Sequence, residues 1–66
     1  MKLGENVKSR RVALGKSTYD LALDVGVTNV TISYVERGLR RPSLVLAMKL
    51  AEALDCTLSE LVQEPA

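Results

Sequence analysis

The chain has 66 residues, 47% hydrophobic and 26% charged, so it is long enough for one small folded domain and too short for two hydrophobic cores. One cysteine and no histidine exclude an intrachain disulfide and a zinc-ligand cluster. No apolar run has signal-peptide or membrane-spanning length, so we expect a cytoplasmic protein without a membrane partner. We also expect no metal, no cofactor and no small-molecule ligand, since a domain this small has little room for a ligand pocket. The net charge of +1 hides an uneven distribution, because residues 1–41 carry +4 and residues 42–66 carry −3, so the basic part could face a phosphate backbone.

Apolar residues recur at helical spacing along the chain, and glycine, proline and hydroxyl residues punctuate the pattern. Gly15, Gly26 and Gly38 each follow a periodic run and are expected to end a helix. Ser17 is an N-cap candidate whose partner Asp20 is expected to imitate only part of a capping box. The pattern predicts an all-α chain with helices over 3–14, Thr18–Val25, Asn29–Arg37, Leu44–Leu54 and Leu58–Val62.

The stretch from Ser17 to Gly38 is the most informative, because two short helices separated by a glycine-containing turn form a helix-turn-helix. Five apolar side chains are expected to pack these helices together: Leu21, Val25, Val27, Ile32 and Val35. The outward residues of the third helix are then Asn29, Val30, Thr31, Ser33, Tyr34 and Arg37. An ordinary solvated helix face shows Lys and Glu, whereas amide, hydroxyl, phenol and short apolar groups can read base edges.

The fourth helix has apolar residues around most of its circumference, so we expect it to be the central and most buried one. The residues behind this expectation are Leu44, Ala47, Met48, Leu50, Ala51 and Leu54. Cys56 follows this helix and is expected to act as a small buried hydrophobic residue and not as a redox sensor.

Motifs in order along the chain resemble one family. They are Leu3–Val7, Arg11–Gly15, Leu21–Ala22, Gly26–Thr28, Thr31–Ser33, Val35–Gly38, Pro42–Leu44, Lys49–Ala51 and Ala53–Leu54. The series resembles the Cro/C1-type (XRE) helix-turn-helix repressors of phages and bacteria, over nearly the whole chain. The resemblance implies one compact five-helix, lambda-repressor-like domain over residues 1–66, with the helix-turn-helix at helices 2 and 3.

The resemblance also implies contacts with double-stranded DNA. Helix 3 would enter the major groove, with Asn29 pairing with adenine and Val30 packing on a thymine methyl group. The residues expected to read bases are Asn29, Val30, Ser33 and Tyr34. Those expected at phosphates, through helix-start amides, hydroxyls or charge, are Ser17, Thr18, Thr28, Thr31, Arg10, Arg40 and Arg41. For Arg10 and the other basic side chains of helix 1, the alternative to a phosphate contact is an ordinary solvated surface charge.

Other residues of the resemblance have structural roles or depart from the family pattern. Arg11 is expected to pair with Glu36 at the end of helix 3. Thr18 stands where the family commonly has Gln, which puts its backbone-clamping role in doubt. Lys16 replaces a common apolar residue, so the turn between helices 1 and 2 should be less buried than usual.

Association with a second copy is expected, because operators of this class are generally two-fold symmetric and dimers place two recognition helices roughly 34 Å apart. We expect Leu58 to face inward, and Val45, Leu61 and Val62 to contribute to the dimer interface.

Three alternatives to a DNA-binding repressor differ in how well the sequence supports them. An enzyme lacks parts, since the chain has no histidine, no glycine-rich phosphate loop and only scattered acids. A protein-interaction module on the same scaffold, such as an antitoxin-like or adaptor domain, remains an alternative. The chain could also be the DNA-binding fragment of a longer repressor, with residues 63–66 as a natural end or the start of a hinge.

Overall fold

The computed structural model describes residues 2–63 and contains five α-helices and no strand within that range. The helices are α1 (Leu3–Ala13), α2 (Thr18–Val25), α3 (Asn29–Glu36), α4 (Leu44–Ala53) and α5 (Leu58–Val62). All five were predicted, and three of them end one residue earlier than predicted. The all-α fold class is thereby confirmed, and the tail discussed as a possible hinge lies, from residue 64 onward, outside the described residues.

Hydroxyl side chains start four of the helices, because each accepts a hydrogen bond from an amide in the first turn that has no helical acceptor. These N-caps are Ser17, Thr28, Ser43 and Thr57. At α2, Ser17 Oγ accepts from the Asp20 amide at 3.0 Å, and the Asp20 carboxylate accepts from the Ser17 amide at 2.9 Å. The expectation of a partial capping box is corrected here, since the shorter aspartate reaches the cap amide.

The core is one cluster of buried aliphatic side chains drawn from all five helices. Its members are Leu3, Val7, Leu21, Ala22, Val25, Ile32, Val35, Leu50, Ala51, Leu54 and Leu61. The residues predicted to pack helices 2 and 3 belong to it, with Val27 partly buried against it. The helical period therefore identified the inward face of the helix-turn-helix correctly.

Helix α4 is not the central helix, which corrects the prediction. It packs against α2 and α5, and its buried side chains lie on that side. The opposite side exposes Leu44, Val45 and Met48, each more than half accessible to solvent. Apolar coverage of a helix shows how much surface could be buried, but it does not show that a neighbour exists on every side.

The inward side of α5 also differs from the prediction. Leu61 is fully buried in the core, whereas Leu58 and Val62 are only half-buried. Asn6 of α1 sets this orientation, since its amide Nδ2 donates to the carbonyl oxygens of Leu61 at 2.8 Å and Gln63 at 2.7 Å. Leu61 is therefore removed from the predicted dimer interface.

Helices α1 and α3 approach closely at Gly4. A Cβ atom at this position would lie 2.5 Å from the carbonyl oxygen of Val35 and 2.8 Å from that of Glu36. Any side chain would have to push apart two backbone segments, so glycine allows the start of α1 to lie on the end of α3.

The described residues contain neither a membrane-spanning helix nor a cluster of metal ligands. None of their helices has the length and apolar character needed to cross a bilayer. No group of three or more His, Cys, Asp or Glu side chains in residues 2–63 is placed to hold a metal ion.

Candidate nucleic-acid interface

A turn of three residues, 26–28, joins α2 to α3. Gly26 has φ 76°, the left-handed conformation that ends a helix without a Cβ clash. The amides of Gly26 and Val27 both donate to the carbonyl oxygen of Ala22, at 2.9 and 3.0 Å. Ala22 is itself buried, and its small side chain lets the two helices pack closely. This geometry is a helix-turn-helix.

The exposed side of α3 carries the four residues that were predicted to read bases. Val30 and Tyr34 lie one turn apart and are 51% and 43% exposed, while Asn29 and Ser33 beside them are half-buried. The one charged residue of α3 is Glu36, which is turned inward. The helix therefore presents an uncharged surface of mixed polar and apolar groups, which suits the mixed edges of base pairs.

The start of α3 is organised by two threonines predicted to contact phosphates. Thr28 Oγ1 accepts from the Thr31 amide at 3.2 Å and lies 3.0 Å from Thr31 Oγ1. Each hydroxyl carries one proton, and their mutual bond uses only one of the two. One hydroxyl proton is therefore left to donate to an anion at this corner.

The start of α2 differs from the prediction in detail. The Ser17 amide already donates to the Asp20 carboxylate, so it does not serve as the phosphate donor that was predicted. The next two amides, of Thr18 and Tyr19, have no acceptor among residues 2–63. The side chain of Tyr19 is 66% exposed at the same place. Tyr19 was not among the residues predicted to contact DNA, although its position in the first turn of helix 2 was a usable signal.

Basic side chains flank the end of α3. Arg37, Arg40 and Arg41 are exposed, and none is within ion-pair distance of a carboxylate in the described part of the chain. The Tyr34 carbonyl oxygen holds this loop by accepting from the Leu39 and Arg40 amides at 2.9 and 3.3 Å. Three positive charges thus follow the C-terminal end of α3, in residues that also line surface grooves with the start of α1.

Arg10 lies elsewhere. Its guanidinium is 3.6 Å from the Glu60 carboxylate of α5, and both side chains remain largely hydrated. The ion pair directs Arg10 toward α5, so we leave it out of the phosphate contacts.

Arg11 and Glu36 form the ion pair that the resemblance implied. Arg11 Nε and Nη2 donate to the two carboxylate oxygens at 2.6 and 3.1 Å, and the side chains are 12% and 6% exposed. The hydrogen bonds that Arg11 donates to Glu36 raise the pKa of the Arg11 guanidinium above its ordinary value, so it stays charged. The pair holds the end of α3 against α1.

Lys16 makes more contacts within the protein than is usual for lysine, which is mostly exposed to solvent. Its ammonium Nζ donates to Asp24 Oδ2 at 2.6 Å and to the Ala53 carbonyl oxygen at 3.2 Å, and its side chain is 32% exposed. Its backbone carbonyl oxygen accepts from Arg11 Nη1 at 2.8 Å. A polar bridge therefore occupies the turn where an apolar residue would be common.

Cys56 is half-buried and packs against the core. Burial raises the pKa of its thiol, which keeps the sulfur protonated and poorly reactive at neutral pH. The predicted interface residues Val45 and Val62 remain accessible at the surface, since Val45 is 62% exposed and Val62 is half-buried.

Comparison with known proteins gives consistent matches. The family model HTH_3, described as helix-turn-helix, matches residues 7–61. An uncharacterized HTH-type transcriptional regulator of Methanothermobacter thermautotrophicus is 44% identical over 48 residues, which cover 73% of this chain and 70% of that protein.

Two solved structures share the fold. The restriction-modification controller protein C.AhdI from Aeromonas hydrophila has a TM-score of 0.87 and 42% identity, over 91% of each chain. The P22 c2 repressor in complex with synthetic operator 9T has a TM-score of 0.90 and 33% identity, over 96% of each chain. The expectation that the chain is not an enzyme agrees with the family. The chain belongs to the HTH_3 helix-turn-helix family of DNA-binding transcriptional regulators.

Proposed function

We propose that the protein represses transcription by binding a two-fold symmetric DNA operator as a homodimer, with α3 in the major groove. The observation that carries the proposal is the uncharged outward face of α3, together with three exposed arginines after the end of that helix and free amides at the start of α2. Charge at the edges attracts phosphates, and the uncharged centre can contact bases without removing a charge from water. The DNA target implies a cytoplasmic location.

Base reading is assigned to Asn29, Val30, Ser33 and Tyr34. The Asn29 amide can pair bidentately with adenine, and Val30 can pack on a thymine methyl group. Each good contact discriminates against a wrong base by about 1–3 kcal/mol. The two residues lie at the start of α3, the end that recognition helices direct toward the bases.

Phosphate binding is assigned to groups on both sides of that face. The amides of Thr18 and Tyr19 lie at the positive end of the α2 dipole. The spare hydroxyl proton of Thr28 or Thr31 and the guanidinium groups of Arg40 and Arg41 add further donors. These contacts would position the domain without reading sequence.

The dimer interface is assigned to an exposed apolar surface that we call the α4 surface. Its residues are Leu44, Val45 and Met48, which are 55–66% exposed. An apolar cluster of this kind on so small a domain favours association with another protein surface. The described part of the chain measures 29 × 23 × 19 Å, so two adjoining copies can hold their α3 helices about one DNA turn, roughly 34 Å, apart.

The operator and repressor parts of the proposal are supported by a relative. The P22 c2 protein, which covers this chain almost completely, is named a repressor and was solved with a synthetic operator.

Selection of binding sites from a random duplex pool tests the proposal, followed by titration of the recovered site at two salt concentrations. Asn29→Ala and Val30→Ala should reduce the preference for the selected site over altered sites by about 5- to 100-fold. Arg40→Ala should weaken binding to all sequences and reduce the slope of log K against log salt by about one. Arg10→Ala is the matched control, because it removes the same charge from a side chain held at α5.

Two further measurements separate the parts of the proposal. Val45→Lys should shift the sedimentation of the protein toward the monomer and weaken binding to the full site more than to a half-site. Repression is read from a reporter gene with the selected site placed over its promoter. If no duplex is enriched and binding is equally weak for all sequences, the proposal of sequence-specific DNA recognition is wrong. The alternative function, a protein-interaction module, is then favoured.

A further inference from the structure

We infer that Lys16 is a positioning residue that holds the helix-turn-helix at a defined angle to α4, and thereby sets the spacing of half-sites that a dimer accepts. The inference rests on the proposed function, since it concerns how two recognition helices are held relative to each other. Its starting point is the ammonium group of Lys16, which bonds to α2 through Asp24 and to α4 through Ala53.

The contact with α4 is at the end of that helix. The amides that follow α4 donate to the carbonyl oxygens of Leu50, Ala51 and Glu52, and the Thr57 amide donates to Glu60. Within residues 2–63 the Ala53 carbonyl oxygen therefore has Lys16 Nζ as its hydrogen-bond donor. A positive charge at a helix C-terminus is also favoured by the helix dipole.

The contact with α2 is an ion pair at the other side of an open groove. This groove lies between α2 and α4 and is lined by Leu23, Asp24, Glu52 and neighbouring residues. Because the groove is open, side-chain packing does not fill the space between the outer parts of the two helices. The Lys16 ammonium bonds to both helices across it, in addition to the buried side chains that pack the two helices together.

A second set of bonds extends the bridge to α3. The Lys16 carbonyl oxygen accepts from Arg11, and Arg11 also holds Glu36 at the end of α3. Lys16 thus contacts α2 and α4 directly and the recognition helix through one intermediate residue. The α4 surface proposed for dimerisation lies on the same helix whose C-terminus the ammonium holds.

Half-site spacing is the property that such a bridge controls. Inserting or deleting one base pair at the centre of a site moves the second half-site by about 3.4 Å and rotates it around the DNA axis. A dimer whose recognition units are rigidly attached to α4 cannot follow that movement. One whose units can tilt about α4 follows it in part.

The test measures binding of the selected site, of sites with one base pair inserted or deleted at the centre, and of an isolated half-site. The unsubstituted protein should prefer the selected spacing by about tenfold or more. Lys16→Met and Asp24→Asn should each reduce that preference to about threefold or less. A change of this size is usual for the energetic coupling between two parts of a protein. Half-site affinity of Lys16→Met should match that of the control below.

Lys49→Met is the matched control. Lys49 lines the same groove and has the same charge, and no carboxylate in the described residues is within ion-pair distance of it. It should keep the full spacing preference. Asp24→Asn removes the charge of the ion pair while raising the net charge, so a loss of preference in both bridge variants is not an effect of weaker attraction to DNA.

Other outcomes overturn the inference. If Lys16→Met and Asp24→Asn keep the spacing preference, or if they weaken all sites equally in step with a lower melting temperature, the bridge is only structural. If the unsubstituted protein binds its selected site but tolerates every spacing, the inference fails while the proposed function stands. If it enriches no site at all, the proposed function fails and the inference with it.

Discussion

Replacing Gly4 with alanine should destabilise the protein, although the same change in an ordinary helix does the opposite. Alanine is favoured over glycine inside a helix by up to about 1 kcal/mol. At Gly4 the added Cβ atom would lie 2.5 and 2.8 Å from two backbone carbonyl oxygens of α3, well inside the contact distance of about 3.5 Å. Backbone atoms cannot rotate away, so α1 must move from α3.

The magnitude follows from these two opposing effects. Overpacking that forces a backbone shift costs about 1–3 kcal/mol, and the helix preference returns up to about 1 kcal/mol. We expect Gly4→Ala to lower the free energy of unfolding by about 1–2 kcal/mol. In a domain of this size that lowers the melting temperature by about 4–16 °C.

Thermal and urea unfolding followed by circular dichroism measure this effect, with Ser9 as an internal reference. Ser9 is exposed on the same helix, so Ser9→Gly and Ser9→Ala together give the glycine-to-alanine value for α1 without a clash. Alanine should be the more stable of that pair. If Gly4→Ala raises stability by the same amount as that reference, the close approach of α1 and α3 does not exist and the reasoning is refuted.

Further predictions concern the ion pair, the core and pH. Arg11→Met should cost about 2–4 kcal/mol by leaving Glu36 buried without its partner, and adding Glu36→Met should recover much of it; an additive double loss in urea denaturation would contradict this. Leu61→Ala should cost about 2–4 kcal/mol and more than Leu58→Ala, since only Leu61 is fully buried; equal losses would return Leu61 to the surface. Hydrogen bonds from backbone amides hold the pKa values of Asp20 and Glu60 below their ordinary 3.8 and 4.5. The stabilisation that each carboxylate gives the folded protein is therefore fully present at a pH above its ordinary pKa. It is lost as the pH falls through the lowered pKa of the folded state. Melting curves from pH 7 to 3 should therefore show a smaller acid loss in Asp20→Asn than in the unsubstituted protein.

Local signals made the helices predictable. Ser17, Thr28 and Thr57 cap their helices through residues three positions along the chain, and Gly26 ends α2 within the same short range. The inward face of α3 follows from its period alone. Such features depend on neighbours in the sequence, so the sequence displays them directly.

Contacts between distant parts of the chain were not predictable in the same way. Asn6 bonds to Leu61 across 55 positions, and Lys16 bonds to Ala53 across 37. No periodic pattern in the sequence predicts either contact. The sequence led us to expect only that Lys16 makes the turn between helices 1 and 2 less buried. The burial of Leu61 and the exposure of Met48 depend on which neighbours cover α4 and α5, which periodicity cannot supply.

The candidate site shows the same division. The residues on α3 were found because they are what remains after the core is assigned. The occupation of the Ser17 amide was not predicted, since it depends on where the Asp20 carboxylate points. The free amide of Tyr19 was predictable in principle, because amides in the first turn of a helix have no helical acceptor.

The uncharged outward face of α3 has a consequence for how such a protein can change. Among residues 2–63, the side chains of Asn29, Val30, Ser33 and Tyr34 take no part in the core cluster, in a cap or in an ion pair. Replacing them leaves the bonds that hold the fold intact. Under the proposed function, the residues that read bases are therefore different from the residues that hold the fold. A lineage of such proteins could then acquire new target sequences through a few substitutions without first gaining stability.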